Sequence, residues 1–354
     1  MLYSNAQNER NLNSQVISFL RFPLCVAVVL IHISINTKDC VQPILYDTVH
    51  YLFAQILARV AVPLFFMFSG FLFFFKQEQF TQHSYKDKLL KRLRTLLIPY
   101  LFWNLEMSLV TFLQGTANGN RFGVLDFLNA FWEYNIPPVM DGEGIASYPV
   151  SIQFWYIRDL MVTCLLSPIL YLLIKRLYWY FIVLLGVLWI TNCWFLITGL
   201  NITALFFFSL GAYCAIYKIN FARFLKPYTI PLGLVYLLFI IMLLVLKDPY
   251  WNPLRRMGIL IGMALTISVV AKYVTNCNWK MNRFLSDSSF FIFAYHVIAL
   301  RIIGCIVSVS LSSDILCSIL YFAKTTFIVL VGLLLFYCLK KWMPRFTALI
   351  TGGR

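Results

Sequence analysis

The sequence predicts an all-α fold, a polytopic transmembrane helical bundle of about ten spans with both termini cytoplasmic. Three observations predict it. Of the 354 residues, 61% are hydrophobic, 18% aromatic and only 12% charged. Soluble domains carry roughly 25% charged residues, so too little polar surface remains to keep these apolar segments in water. The apolar residues also come in runs of about 18 to 25, the length that crosses a ~30 Å hydrocarbon core. Finally, Lys and Arg gather between alternate runs, as they do in cytoplasmic loops. The formal charge of +15 would suggest a nucleic-acid partner in a soluble protein. With no DNA or RNA motif present, it reports those loops instead.

The spans fall near residues 16–36, 51–75, 95–115, 153–173, 178–198, 201–217, 229–247, 254–271, 289–311 and 315–339. Helices are expected because an open sheet would strand backbone groups in lipid, and the runs lack the alternation of barrel strands. The first run follows the polar stretch 11–15 and has no small-residue cleavage site, so it reads as a retained span of a chain starting near Met1. With the N-terminus inside, the basic clusters at 86–94, 175–176, 218–226, 272–283 and 340–345 are cytoplasmic. The opposite side has only Lys38, Arg121, Lys247, Arg255 and Arg256, with the acidic residues Asp39, Asp47, Asp126, Glu133, Asp141, Glu143, Asp248 and Asp314. Arg255-Arg256 departs from this pattern, and either lines an outer vestibule or marks a misplaced boundary. The outer segment 116–152 reads equally as a cap over an outer cavity or as a connector. Neither a repeat nor a linker divides the chain, so one membrane domain, 1–354, is expected. The nine Cys are scattered with no disulfide framework, and His32, His50, His83 and His296 have no metal-ligand spacing.

Ionisable residues inside spans are costly in hydrocarbon and normally pair, face the bundle interior or serve a pathway. Here they are Arg21, His32, Arg59, Glu106, Arg158, Asp159, His296, Arg301 and Lys324. In "LRFPLCVAVVLIHIS", Arg21 and His32 are eleven residues apart, which on a helix is ~16 Å along one face. A neutral imidazole can take a proton from a hydroxyl and return it, which suits acyl transfer. The bland reading has Arg21 snorkelling to headgroups and His32 bonding a neighbouring helix. In the second span, Arg59 precedes Pro63 by four residues and Ser69-Gly70 interrupts an aromatic run, as a packing contact or a functional one. The loop after it ends in "KDKLLKRLRTLLIPYLFWN", where Lys88, Lys91, Arg92 and Arg94 form a positive-inside anchor or a phosphate-holding cluster. Arg158 beside Asp159 is an ion pair or an interfacial anchor on one reading and a site on the other, while Lys324 reads as a polar-contact residue.

Together these segments resemble the acyltransferase-3 family of polytopic membrane acyltransferases, which acylate cell-surface glycans. The resemblance is carried by Arg21-x10-His32, "RVAVPLFFMFSGFLF", "KRLRTLLIPYLFWN", "QFWYIRDLMVTCLLSPIL" (which contains Trp155) and "SSFFIFAYHVIAL". It implies O-acyl transfer, acetyl first among the possible groups, from cytoplasmic acyl-CoA to a saccharide hydroxyl at the bacterial cytoplasmic membrane. His32 is then the catalytic residue, and Arg21, Lys88, Arg92 and Arg94 hold the donor. The acyl-CoA is a co-substrate, and no bound cofactor is implied. Arg59, Ser69, Glu106, Trp155, Arg158, Asp159 and His296 are supporting or acceptor-side candidates, with packing favoured for His296. Where many members carry Arg-x3-Arg, Leu96 stands four residues after Arg92 here, so Lys88-x3-Arg92 or Arg92-x-Arg94 must substitute. Some members carry a fused hydrolase-like domain; none is expected after the tenth span. An acyl-histidine intermediate stays open beside direct transfer, as does a transporter or flippase for a glycan precursor, though no inverted symmetry shows.

Overall fold

The computed structural model describes residues 2–38, 40, 42–75, 80–117, 123–134, 147–246, 253–277, 279–306 and 311–353. In chain order the helices are α1 (Leu2–His32), α2 (Ile44–Phe74), α3 (Gln82–Leu113), α4 (Val124–Trp132), α5 (Ile152–Leu165), α6 (Ser167–Leu177), α7 (Trp179–Ile190) and α8 (Ile202–Ile216). They continue as α9 (Phe221–Leu246), α10 (Pro253–Asn276), α11 (Arg283–Ile306), α12 (Asp314–Trp342) and α13 (Pro344–Thr351). Among the described residues, strand pairing is limited to one antiparallel bridge between Tyr134 and Tyr148. The all-α, multi-pass expectation stands.

Among the described residues, seven helices (α1, α2, α3, α9, α10, α11 and α12) are long and apolar enough to cross a membrane, or up to eight if α5 and α6 count as one span bent by 65°. Pro168 sits in the first turn of α6, where its missing N–H is harmless but the preceding helix cannot run straight through. The expected fifth and sixth spans are the 12-residue α7 and the 15-residue α8. At 1.5 Å per residue these reach only about 18 and 22 Å, short of a ~30 Å core. Residues 191–201, of which 191–198 had been read into the fifth span, are not helical, and Asn201 caps α8 by accepting from the Thr203 N–H at 2.7 Å.

The third expected span, 95–115, needs correcting at its start. The basic segment read as a loop is helical from Gln82 and runs through a π-helical turn, Leu93–Leu97, into the apolar part of α3. Thr81 and Ser84 form the capping box that starts it, Thr81 Oγ1 accepting from Ser84 N at 3.2 Å and Ser84 Oγ from Thr81 N at 3.0 Å. Of the outer segment, 118–122 and 135–146 lie outside the described residues. Its described part holds α4, which exposes Val124, Leu125 and Leu128. Asp39, Asp141, Glu143, Asp248, Lys247 and Arg121 also lie outside the described residues.

The chain divides into two compact units, one of Met1–Phe65 with Lys218–Cys338, the other of Phe66–Tyr217 with Leu339–Arg354. In the first, one core joins Cys25, Val29 and Ile33 of α1 with Tyr46 of α2, Ile292 and Ala299 of α11, and Cys317, Tyr321 and Ile328 of α12. A smaller one joins Ile56 to Tyr236 and Leu243 of α9. In the second unit, α2 and α8 cross backbone against backbone. A Cβ on Gly70 would overlap the Phe208 carbonyl, and one on Gly211 the Met67 carbonyl. Small residues permit that approach where lipid supplies no hydrophobic drive between helices, so Gly70 is explained by packing.

Candidate active site around His32

His32 is the last residue of α1, and a helix end in a membrane must find partners for its open carbonyls. Here they come from two other helices. Tyr321 Oη of α12 donates to Leu30 O at 3.0 Å and Lys324 Nζ to Ser34 O at 3.3 Å. Tyr46 Oη of α2 accepts from Ile35 N at 2.9 Å, and His50 bonds the backbone of Ile33. The start of α2 has no side-chain cap of its own. Asp314, opening α12, replaces it by accepting from Leu45 N and Tyr46 N, both at 2.7 Å. Tyr46, His50 and Tyr321 then stack as an aromatic group, with His50 ring contacts of 5.7 Å to Tyr46 and 5.6 Å to Tyr321. Lys324 thus has the contact role its sequence context suggested.

Beside this end of α1 lies His296 of α11, its ring centroid 5.1 Å from that of His32 at a 42° tilt. His32 is half-buried and His296 fully buried. Nδ1 of His296 lies 2.7 Å from Phe293 O. A carbonyl only accepts, so Nδ1 carries the proton and Nε2 keeps its lone pair. Among the described residues that Nε2 has no hydrogen-bond partner. The pairing of these two histidines was not visible in the sequence, where nothing says which helices adjoin.

α2 loses regular α geometry close by, with a π-helical turn over Tyr51–Leu57 and a 3-10 turn over Ala58–Val60. Pro63 follows with no N–H to give the Arg59 carbonyl. In this irregular stretch Arg59 donates to Gln55 Oε1, from Nη2 at 2.5 Å and Nε at 3.1 Å. Arg255, in the first turn of α10, donates from Nη2 to the same Oε1 at 3.1 Å and from Nε to Gln55 O at 3.1 Å. Arg59 is also within electrostatic reach of His32 and His50. Gln55, Arg255 and Arg256 are buried, at 7%, 5% and 4% exposure. The Arg255-Arg256 boundary therefore stands, because both residues fall within α10 and face protein. Sequence reasoning passed over His50 and Gln55; the four-residue step from Gln55 to Arg59 was the one available signal.

Arg21 lies on α1 with His32, half-buried. The remaining candidates belong to the second unit. Lys88 and Arg92 are half-buried and one helical turn apart on α3, while Arg94 is exposed in the π-helical turn. Lys88 Nζ donates to Phe73 O and lies 5.3 Å from that ring. Arg158 and Asp159 form a buried ion pair at 2.9 Å, each 1% exposed. Arg158 also donates to Trp132 O at 2.8 Å and Ser147 O at 3.0 Å, tying α5 to the end of α4 and to Ser147 within the outer segment. Ser69 Oγ is 3.3 Å from Tyr156 Oη, and Trp155 is buried against Phe66 with centroids 6.2 Å apart. Glu106 is exposed on α3. Among the described residues no group of His, Cys, Asp and Glu could hold a metal ion.

A family profile described as an acyltransferase domain matches residues 15–348. Over 166 residues, 45% of this chain, the sequence is 28% identical to the succinoglycan biosynthesis protein ExoH of Rhizobium meliloti (strain 1021), and that match spans 43% of the relative's length. No solved structure matches the chain. Since the profile covers nearly the whole sequence, both histidines and every candidate above included, the chain belongs to the acyltransferase-3 family of membrane acyltransferases.

Proposed function

We propose that this protein is an O-acyltransferase of the bacterial cytoplasmic membrane that moves an acyl group, acetyl being the first choice, from cytoplasmic acyl-CoA to a hydroxyl of a cell-surface or lipid-linked saccharide. The observation that carries the reading is the half-buried His32 at the end of α1, paired with buried His296 and within reach of the Arg59 charge. The similarity to a succinoglycan biosynthesis protein supports a polysaccharide acceptor.

His32 acts as general base. Its free ring nitrogen takes the proton of the acceptor hydroxyl as the oxygen attacks the thioester carbonyl. The C–O bond forms, the C–S bond breaks, and the imidazolium returns the proton to the leaving CoA thiolate. Arg21, about 16 Å back along the helix, holds CoA phosphate at the cytoplasmic end, and Lys88 with Arg92 offers a second basic pair of the same kind. Arg94, Ser69, Glu106, Trp155, Arg158 and Asp159 support binding or packing around that chemistry.

The test is transfer of radiolabelled acetyl from acetyl-CoA to surface polysaccharide in membranes carrying wild type or His32→Ala at equal expression. Label with wild type alone supports the reading. Equal labelling by both makes His32 structural and sinks the mechanism. Absence of label from a panel of acyl-CoA donors with either protein removes acyl-CoA as the co-substrate.

A further inference from the structure

Two helices too short to cross a membrane meet end to end alongside α3. The nine residues of α4 run back along it. Phe127 of α4 packs on Phe112 near the last turn of α3, with ring centroids 6.3 Å apart, and Phe131 O accepts from Tyr100 Oη. Tyr100 and Phe112 are separated by about 18 Å of helix. α5 begins where α4 stops: Ser151, just before it, donates from N to Asn104 Oδ1 and from Oγ to Trp103 O, both at 3.3 Å. At its far end Leu165 O accepts from Tyr85 Oη, in the basic first part of α3, at 3.1 Å. At 1.5 Å per residue α4 supplies about 14 Å and α5 about 21 Å, together the thickness of one hydrocarbon core. The ends are joined by Tyr134 N donating to Tyr148 O and Val150 N to Ala130 O, both at 2.8 Å. On its open side α4 exposes Val124, Leu125 and Leu128, continuing the exposed Leu105, Leu109 and Leu113 of α3, while Asp126 and Asn129 are exposed beside them. A helix of this kind meets lipid on one flank and water on the next.

The hairpin of α7 and α8 reaches the same junction. Its feet are Tyr178 and Tyr217, with ring centroids 5.7 Å apart and Lys175 beside them. Its 191–201 turn packs so closely on α4 that a Cβ on Gly199 would overlap the Trp132 ring. Ser147 Oγ lies 2.9 Å from Thr198 Oγ1, which donates to Glu133 Oε2 at 3.4 Å. Since Thr198 spends its proton on the carboxylate, Ser147 is the donor to Thr198, and the chain ends on a carboxylate with lone pairs left over. Below it, Asp159 Oδ2 has no hydrogen-bond partner among the described residues and the side chain is 1% exposed. Irregular backbone at membrane depth persists only where protein buries it or water reaches it, and interrupted spans are where membrane proteins hold polar ligands.

We infer that α4 and α5 are the two halves of one interrupted span, and that Glu133, Thr198 and Ser147 at the interruption form a water-filled site for the hydroxyls of the saccharide acceptor. The inference rests on the acyl-transfer reading for the word acceptor. A carboxylate and two hydroxyls suit a ligand rich in O–H donors, and the partly exposed Trp132 ring adds the apolar surface that such sites combine with a few polar groups. In the topology read from Lys and Arg, α4 starts on the outer side, so the site opens away from the cytoplasmic donor.

The experiment uses the full chain in lipid nanodiscs, with its reactive native cysteines replaced by Ser and a nitroxide attached in turn at Val124→Cys, Leu128→Cys and Ser147→Cys. Collisions with oxygen report lipid, and collisions with a nickel chelate report water. The labels at 124 and 128 should favour oxygen, with the second about 6 Å deeper, one turn down a descending helix. Nickel access at both, or equal depth, overturns the interrupted span. The label at 147 should meet nickel and lose that access when an oligosaccharide released from the host's surface polysaccharide and freed of acyl groups is added. A label at 147 that nickel never reaches, or that the oligosaccharide leaves unprotected, overturns the site. Glu133→Gln and Thr198→Val alter side chains outside the core, and each should raise KM for the same oligosaccharide about tenfold, the size of one lost hydrogen bond to a charged group, with KM for acyl-CoA unchanged. Unchanged KM for the oligosaccharide, or equal rises for both substrates, removes these residues from acceptor binding. Protection at 147 in a protein that transfers no acyl group leaves the site standing and removes the acyl-transfer reading alone.

Discussion

Replacing Arg158 by Met distinguishes a structural ion pair from a catalytic one. Arg158 gives three hydrogen bonds, to Asp159 Oδ1 at 2.9 Å, Trp132 O at 2.8 Å and Ser147 O at 3.0 Å, and both members of the pair are 1% exposed. Removing one partner of such a pair costs about 3 to 5 kcal/mol, mostly because a charge is left buried alone. Removing both charges, as Arg158→Met with Asp159→Leu, should recover much of that loss. It should still fall about 1 to 3 kcal/mol below wild type, because the two backbone carbonyls lose their donor. Unfolding in mixed micelles of rising SDS content, followed by labelling of buried cysteines such as Cys164, measures wild type, both single variants (Arg158→Met and Asp159→Leu) and the double variant, and with them the coupling between the sites. A single variant that unfolds like wild type while acyl transfer collapses would refute the structural reading and return Arg158 to the chemistry.

Three further outcomes follow from the same geometry. Gly211→Ala puts a methyl into the Met67 carbonyl, so the α2–α8 crossing must open and the protein should lose about 1 to 3 kcal/mol in the same SDS titration; unchanged unfolding would mean the helices do not touch there. Lys88→Gln with Arg92→Gln should raise KM for acyl-CoA more than Arg94→Gln does, because the first two share one turn of α3 and Arg94 is exposed away from it; the reverse order in acyl-CoA titrations would remove Lys88-x3-Arg92 as the donor pair. Asp314→Asn weakens the cap on the first turn of α2, so trypsin and hydrogen exchange should find the backbone at 44–50 more open, at a cost of roughly 1 kcal/mol; unaltered protection would refute the capping role.

Most of the helical frame was legible because lipid tolerates so few ways of arranging a backbone. A long uncharged run must be a helix, and seven of the expected spans are helices of spanning length. Legibility failed where polarity and helix disagree. Residues 82–92 are basic enough to read as loop, yet they form a helix that a Thr81–Ser84 capping box starts, and 191–201 is apolar enough to read as part of a span, yet it is non-helical chain between two helices too short to cross. At the site, Arg21 and His32 could be found because they share one helix and one face. His296, Gln55 and Arg255 could not be placed near them, since their proximity comes from helix packing across long sequence separations. Gln55 carried no charge to draw notice in an otherwise apolar run, although it is the acceptor on which both arginines close.

The arrangement of the two histidines adds a demand on the mechanism. With Nδ1–H of His296 committed to Phe293 O at 2.7 Å, its Nε2 can only accept. In the structure that Nε2 has no hydrogen-bond partner among the described residues; a ring N–H turned toward it from His32, whose ring centroid lies 5.1 Å away, would supply one. That bond would fix the tautomer of His32 and leave its other nitrogen as the lone pair that takes the hydroxyl proton. On the proposed mechanism, His296 would then be a positioning residue, acting through His32. General-base assistance is typically worth 10²- to 10⁴-fold, and a misdirected tautomer forfeits much of it. His296→Leu should therefore lower kcat by about 10²-fold with KM for acyl-CoA little changed. His32→Ala in that background should cost far less than it does in wild type, because residues acting as one unit are not additive. His296→Asn, which can present an amide oxygen to the same N–H, should restore part of the rate. Independent, multiplicative losses in the double variant would show that the two rings work separately, and the tautomer argument would fail with them.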